Sequence, residues 1–406
     1  MTPQDLDAIR DWVTARGLAG AAELELIEGF CQRCKAAGLP LSRGAVLIDT
    51  LHPVYEGRIF RWREDGAEEA PMLEYGRTSE GGEQAENWQR SVHYHLLNTG
   101  GDEYNCHLGR ESFDFFTYDT MLGDGLVGVA AFIHRFAQEG SFGDMDCVYS
   151  TWATRHPEGF VEADMVVLRQ LLPALALAVK CRSLARVAAT LVEVYLGRDA
   201  GTRVLSGRIA RGVAERMTAV LWFSDLRGYT TITDTAAPEE IIPLLNDYSA
   251  AAIAAIHEHG GDVLKLIGDG VLAIFRSDDN AHAVRCALRA EATLRASKIE
   301  LNTRRREEGR PVTSIYLGLH IGEVLFGNIG SEDRLDFTVV GPAVNEVSRI
   351  ASMCRSVDRA VVISSAFSEA AAPDDRDRLV SLGRFALRGV RRAQELFALD
   401  PDRAVN

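Results

Sequence analysis

The hydrophobic pattern of this chain changes period along its length. Three apolar, β-prone runs at 44–49, 58–62 and 125–132 predict strands in the first part, divided by Gly- and Glu-rich loops around 64–87. From 160 to 196 the pattern turns helical. Within it Leu184, Val187, Leu191 and Val194 recur at 3-4-3 spacing, a short heptad seam. The seam fits either an amphipathic helix facing its own core or a parallel dimer helix joining two domains. Pro173 predicts a kink or a helix boundary, and Gly197 and Gly201 predict the end of the helical stretch. Residues 217–398 return to alternating strands and helices. The expected division is a mixed domain with N-terminal helices over 1–180, a connecting helix over 181–214 and a second α/β domain over 215–400. No internal repeat and no low-complexity tract interrupts it.

Composition narrows the class. A length of 406 residues is room for roughly two to three domains. With 47% hydrophobic and 25% charged residues the mixture is that of ordinary globular proteins, with enough apolar sequence for sizeable cores. The net charge of -14 opposes binding to nucleic acid or to anionic membranes. The densest basic run, Arg304 to Arg306, is followed by Glu307 and Glu308 and reads as a solvated helix end. The N-terminus is charged from Asp5 onward, unlike a signal peptide. No run reaches the ~20 apolar residues of a membrane span; the best, 171–179, stops at Lys180 and Arg182. Seven scattered cysteines, an odd number, fit reduced thiols in a cytoplasm.

Three segments carry chemistry. In the first, 217–231, an apolar run predicts a buried strand, and Asp225 falls where that strand emerges. Gly228 then permits a tight turn, so that backbone N–H groups at the start of the next helix, around Tyr229 and Thr230, can face an anion. A carboxylate beside a phosphate-sized anion hole suits a Mg²⁺–triphosphate, since Mg²⁺ keeps only one or two protein carboxylates. In the second, 261–275, two apolar runs flank Gly268, Asp269 and Gly270, a hairpin signal. Lys265 lies inside the first run and needs a partner there. In the third, 336–350, a strand at 337–340 leads through Gly341 to Pro342, a favoured first helical residue. Asn345 and Arg349, four apart, then share a helix face, and Arg349 offers a planar fork for phosphate oxygens.

Together and in this order, the three segments resemble the catalytic domain of class III adenylyl and guanylyl cyclases, over about 215–398. The resemblance implies a ferredoxin-like α/β core and a homodimer with active sites at the interface, each holding two Mg²⁺ (or Mn²⁺) ions. Matched position by position, Asp225 and Asp269 correspond to the metal-binding aspartates, with the backbone carbonyl of Leu226 as a further ligand. Lys265 and Thr338 correspond to the base-recognition pair, Asn345 to the residue that orients the ribose, and Arg349 to the one that stabilises the transferring phosphate. Leu387-Arg388-Gly389 resembles a motif that usually reads Leu-Lys-Gly, so Arg388 is expected on the terminal phosphates. Gly228, Tyr229 and Thr230 are expected beside the triphosphate. Two positions depart from the common pattern. Thr338 stands where Asp is frequent, as in the class IIIb subgroup, some of whose members respond to bicarbonate. Pro342 replaces the Asp of the usual Gly-Asp-Ala-Val-Asn.

The implied activity is cyclisation of ATP to cyclic AMP and pyrophosphate. Adenine N1 accepts and its N6 amine donates; Lys265 only donates and the Thr338 hydroxyl can accept, so the pair favours ATP over GTP. The alternatives are a catalytically weak nucleotide-binding signalling module and a guanylyl cyclase. In the first part of the chain, 159–175 resembles the closing helix of GAF-type sensory domains, a PAS-like fold being the other possibility; either implies an unidentified small-molecule signal. Cys31 and Cys34 lack further partners for a zinc site and read as two thiols on a helix face. His93 and His95 are expected on one face of a strand. The whole is expected to be a cytoplasmic, sensor-regulated homodimer with no nucleic-acid or membrane partner.

Overall fold

The computed structural model describes residues 1–66, 70–110, 115–136, 145–210, 212, 214–390 and 393–400. The chain forms two compact units, Met1–Leu191 and Val192–Asn406. Both are mixed α/β with largely antiparallel sheets, the class read from the sequence.

The first unit opens with helices α1 (Pro3–Leu18) and α2 (Glu23–Ala36), then strands β1 (Arg43–Asp49), β2 (Gly57–Arg63) and β3 (Met72–Tyr75). Helices α3 (Glu83–Gln89) and α4 (Val92–Thr99) follow, then β4 (Glu103–His107), α5 (Tyr118–Gly123), β5 (Gly128–Arg135), β6 (Cys147–Thr154) and the long α6 (Glu162–Leu196). The sheet order is β3-β2-β1-β6-β5-β4, antiparallel throughout. Period-two alternation sends Val46, Ile48 and Trp152 to one face, against Phe30 of α2 and Leu168, Leu171 and Leu172 of α6. It sends Val129, Ala131 and Tyr149 to the other, against Val92 and Leu96 of α4 and Met121 of α5. The fully buried Trp152 keeps its indole N–H satisfied by donating to Ser150 Oγ at 3.0 Å. Glu23, 1% exposed, accepts from Arg186 and Ser183 and so ties α2 to α6.

Three expectations change here. Pro173 lies inside an unbroken α6. It and Arg169, whose carbonyl loses its helical partner, are both on the exposed side, where water can take that bond. Gly201 does not end the helical stretch but sits within α7 (Arg198–Leu205); a Cβ there would come within 3.1 Å of the Glu193 backbone, so the glycine permits a close return of the chain. His93 and His95 are on helix α4, not a strand. Two residues apart on a helix they diverge: His93 is buried with Nε2 3.2 Å from the Ser150 carbonyl oxygen, and His95 is exposed. Cys31 and Cys34 are both buried on α2, where burial raises both thiol pKa values, that of Cys34 to about 12.

After α7 the second unit continues with β7 (Ala214–Leu226), α8 (Tyr229–Thr235), α9 (Pro238–Glu258), β8 (Asp262–Ile267), β9 (Gly270–Phe275) and α10 (Asn280–Glu307). Then come β10 (Ile315–Gly330), β11 (Leu335–Val340), α11 (Pro342–Val357), β12 (Val361–Ser364), α12 (Ser365–Ala370), α13 (Pro373–Arg376), β13 (Leu379–Phe385) and β14 (Gln394–Leu399). The sheet runs β13-β14-β12-β10-β7-β9-β8, with β11 also paired to β10. Among the described residues only β10 and β12 pair in parallel. One face buries Val220, Trp222, Ala273 and Phe275 against α9 and α10. The other buries Ala219, Leu221, Leu272 and Ile274 with Ala343 and Val347 of α11.

The seating of α11 depends on Gly318 of β10. A Cβ there would lie 2.7 Å from both the Ala351 nitrogen and the Val347 carbonyl oxygen, backbone atoms with no freedom to move aside. Gly318→Ala is expected to lift α11 and cost ~1–3 kcal/mol, the usual cost of overpacking. Urea unfolding followed by circular dichroism checks it: the midpoint of the second unit's transition should fall while that of the first stays in place.

Candidate functional site

Two carboxylates meet at the exit of β7. Ile267 pairs with Gly270 across a two-residue turn, the hairpin expected from the sequence, and Gly268 takes φ +62°. The approach of this hairpin to β7 requires a glycine, since a Cβ on Gly270 would lie 2.8 Å from the Ser224 carbonyl oxygen. Asp269 is thereby brought beside Asp225. Its Oδ2 accepts from the Leu226 N–H at 3.1 Å, which puts the Leu226 peptide at the same corner. Burial, and then the charge of Asp269, push the Asp225 carboxyl up to about 6. Asp225, Leu226, Asp269, Tyr248 and Ser249 are among the residues lining a cavity of about 10 Å³, about the space one water needs.

This donor set fits a hard divalent cation. Two oxygen ligands repel each other without one, and Mg²⁺ commonly takes its remaining ligands from water and phosphate. Among the described residues no group of three or more His, Cys, Asp or Glu side chains is arranged to hold a metal by itself. Gly228, at φ +71°, caps α8, and Tyr229 and Thr230 form its first turn, Tyr229 packing against the core and Thr230 exposed.

Lys265 reaches its position through a register shift. Val263 pairs with Ala273 but Lys265 with Leu272, so a β-bulge falls at Leu264. Strict alternation would leave Lys265 on the side of Val263, toward α9 and α10. The bulge moves it to the side of Leu272, where β11 lies. Its partner is a surprise: the ammonium is bound by Asp336, two residues before Thr338 on β11. In β11 Phe337 and Val339 are buried in the core, and Asp336 and Thr338 share the opposite, half-buried face. The sequence motif contained Asp336, but only the demand of Lys265 for a partner hinted at it.

Arg349 is placed by packing. On α11 Ala343, Val347, Ile350, Ala351 and Cys354 form the buried stripe, which leaves Asn345 exposed and Arg349 half-buried on another side. Ile350 and Cys354 pack with Leu387, which anchors the turn carrying Arg388 and Gly389. Gly389 has φ +71°, and its missing Cβ would lie 3.2 Å from Arg349 Nη1. The guanidinium of Arg349 and the exposed Arg388 turn are therefore neighbours. Most of the site residues named from the sequence thus fall into three local groups: Asp225, Leu226 and Asp269 at the end of β7; Lys265 with the outer face of β11; and Arg349 with the Arg388 turn, while Asn345 is exposed on α11 and Gly228, Tyr229 and Thr230 open α8.

Comparison with known proteins places the second unit in a wider context. Residues 213–401 match the family model of the adenylate and guanylate cyclase catalytic domain. An adenylate cyclase of Anabaena cylindrica is 34% identical over 153 residues, 38% of this chain and 30% of that protein. Adenylate cyclase 1 of Rhizobium meliloti is 30% identical over 166 residues, 40% of this chain and 24% of that protein. The match thus spans less than a third of the length of either relative. Among solved structures, a bacterial light-regulated adenylyl cyclase aligns with TM-score 0.48 at 23% identity over 56% of this chain and 63% of that one. The adenylyl cyclase CyaB from P. aeruginosa aligns with TM-score 0.41 at 24% identity over 48% of this chain and 100% of that one. By that family model, residues 213–401, a little under half of the chain, belong to the adenylate and guanylate cyclase catalytic domain family.

Proposed function

We propose that this domain converts ATP into 3′,5′-cyclic AMP and pyrophosphate. The observation that carries the reading is the pair Asp225 and Asp269, two half-buried carboxylates held together at a strand exit with the Leu226 peptide beside them. These residues would hold Mg²⁺ or Mn²⁺, two ions per site. Bound there, the ions would acidify the ribose 3′-hydroxyl and offset triphosphate charge. The chain's own residues do the rest. The 3′-oxygen attacks the α-phosphorus as the bond to the bridging oxygen breaks and pyrophosphate leaves, the hydroxyl proton passing to water or a substrate phosphate oxygen, and Asn345 orients the ribose for this in-line approach. Arg349 and the neighbouring Arg388 hold phosphate oxygens and stabilise charge that grows in the transition state. Lys265 donates to adenine N1 and Thr338 accepts from the N6 amine, which disfavours guanine, whose N1 carries a proton. The loop and first turn at Gly228, Tyr229 and Thr230 flank the triphosphate.

The working form is a homodimer with its sites at the interface. Leu266, Ile267, Leu325, Ile329, Leu335 and Val340 are exposed on β8, β10 and β11, and apolar side chains gathered around one part of a surface mark an interaction face. Asp225→Ala and Asp269→Ala are each expected to abolish cyclic AMP formation with circular dichroism unchanged. Mixing Asp225→Ala with Arg349→Ala chains should restore part of the activity, because one hybrid site then combines intact halves. Product analysis with ATP and GTP side by side reads all three results. Full activity of either aspartate variant, or cyclic GMP as the main product, would sink the reading.

The raised Asp225 pKa gives a pH dependence with a definite sign. A cation needs the carboxylate, which is about half protonated near pH 6, so affinity should fall as pH drops through that region. Titration calorimetry with Mn²⁺ in buffers of different ionisation enthalpy should show about half a proton released per chain at pH 6 and almost none at pH 8. Asp225→Asn should remove the release.

The first unit is read as a GAF-like sensor for a small molecule, acting through α6. Of the expected seam, Val187 is buried, Leu184 packs on the unit's own core and Val194 is exposed. A better-exposed stripe runs through Leu177, Cys181, Leu184, Ala188, Leu191 and Tyr195 at 4-3-4-3-4 spacing, which suits pairing with a second α6. One residue inserted after Leu191 turns everything downstream by roughly 100°. Basal activity or its regulation should then change, and a seven-residue insertion should largely preserve both. Equal, parent-like rates for the two insertions would reduce α6 to a tether.

The localisation reading stands beside these. Among the described residues no helix is long and apolar enough to cross a membrane, and a cytoplasmic protein remains our proposal.

A further inference from the structure

Asp336 has no role in the reading above, yet it is the residue that binds the ammonium of Lys265. Two independent features of the fold create this contact. The bulge at Leu264 moves Lys265 across the sheet to the side of β11. The alternation of β11, anchored by buried Phe337 and Val339, then presents Asp336 and Thr338 together on the other face. A lysine head on four methylenes has many rotamers, and fixing it costs side-chain entropy unless a partner holds it beforehand. An ammonium has three donors. A carboxylate that takes one of them leaves two for a base and restricts where they point.

We propose that Asp336 is a specificity-determining positioning residue: its carboxylate holds the Lys265 ammonium beside Thr338, so that donor and acceptor are presented together to a purine edge. This rests on Lys265 and Thr338 being the base-reading pair. Asp336 acts through Lys265 and touches no reacting atom. An exposed ion pair contributes little to folding, so its removal should register in substrate choice and not in stability.

The test uses the full chain and measures kcat and KM for ATP and for GTP, with the thermal midpoint as a control. Asp336→Asn keeps the size of the side chain and removes its charge. It should lower kcat/KM for ATP about tenfold, the scale of one charge-assisted hydrogen bond, and narrow the ATP-to-GTP ratio with the midpoint unchanged. Asp336→Glu should recover much of the ratio, and Asp336→Ser provides a second neutral variant should the amide fold poorly. Lys265→Ala should lose selectivity on its own, and adding Asp336→Asn to it should change nothing further. If Lys265→Ala loses selectivity and Asp336→Asn is not impaired, the proposal is overturned while base reading by Lys265 stands. A drop with Asp336→Asn that adds in full to that of Lys265→Ala overturns it too, because Asp336 would then act by its own contact. Unchanged selectivity in Lys265→Ala, with Asp336→Asn impaired, removes the base-reading premise itself.

Discussion

Thirteen consecutive residue pairs, Leu226 with Ile315 through Ala214 with Gly327, lock β7 to β10. Each group of the candidate site is fixed by its attachment to that ladder. Asp225 sits at one end, opposite Tyr316. The hairpin bearing Lys265 and Asp269 joins through β9, which pairs with the middle and upper part of β7. β11 pairs with the far half of β10 and delivers Asp336 and Thr338. α11 lies over the ladder on Gly318 and Gly322, whose absent side chains let the helix backbone approach. The middle of β7 is paired on its other side by β9, and parts of β10 by β12 and β11, which stiffens the ladder; such stiffness suits chemistry in which small misplacement is expensive.

The ladder is made stable enough to carry destabilising groups. Its interior strands bury Trp222, Phe275, Leu221 and Ile274 almost completely, and the Trp222 indole N–H finds Ser224 Oγ at 3.1 Å. The same device, a serine two residues away on the same face, satisfies Trp152 in the first unit. Against this background two carboxylates are held together where they repel, and the Asp225 carboxyl responds by retaining its proton to higher pH. Among the described residues, Asp269 accepts from the Leu226 N–H and shares a hydrogen bond with the Asp225 carboxyl. A site built purely for stability would have supplied a basic partner. Local electrostatic tension of this kind is characteristic of places that bind cations or do chemistry.

A second arrangement of charge joins α7 to the catalytic sheet within the second unit. Arg276, just after β9, bridges Asp199 of α7 and Asp262 at the start of β8, and Arg203 of α7 bridges Asp199 and Glu215 of β7. Both guanidinium groups also lie over the ring of Phe326, at 5.0 and 5.5 Å. Gly197, ahead of α7, lies so close to the Val263 carbonyl oxygen that a Cβ would approach it to 2.6 Å. The segment around α7 is thus fastened to the strand that carries Lys265, a physical connection from the entry of this unit to that strand.

Much of this was legible in the sequence. Asp225 after an apolar run, Gly268 and Asp269 between two others, and Gly341-Pro342 before Asn345 and Arg349 are local signals, and local backbone preferences were enough to make the strand exit, the hairpin and the helix start. Their order along the chain carried the family resemblance. Period alone misled where the surroundings overruled it: α6 continues through Pro173 because the disrupted turn is exposed, and His93 and His95 lie on a helix that packs over the sheet. Which residues meet across the sheet was beyond any local pattern. The bulge at Leu264 follows from how β8 pairs with β9, and the binding of Lys265 by Asp336, 71 positions later, exists only once β11 has folded back along β10. The sequence by itself determined which chemical groups this domain owns and the elements that bear them. Tertiary pairing decided which of those groups face one another, because a register shift of one residue moves a side chain to the other face of a sheet.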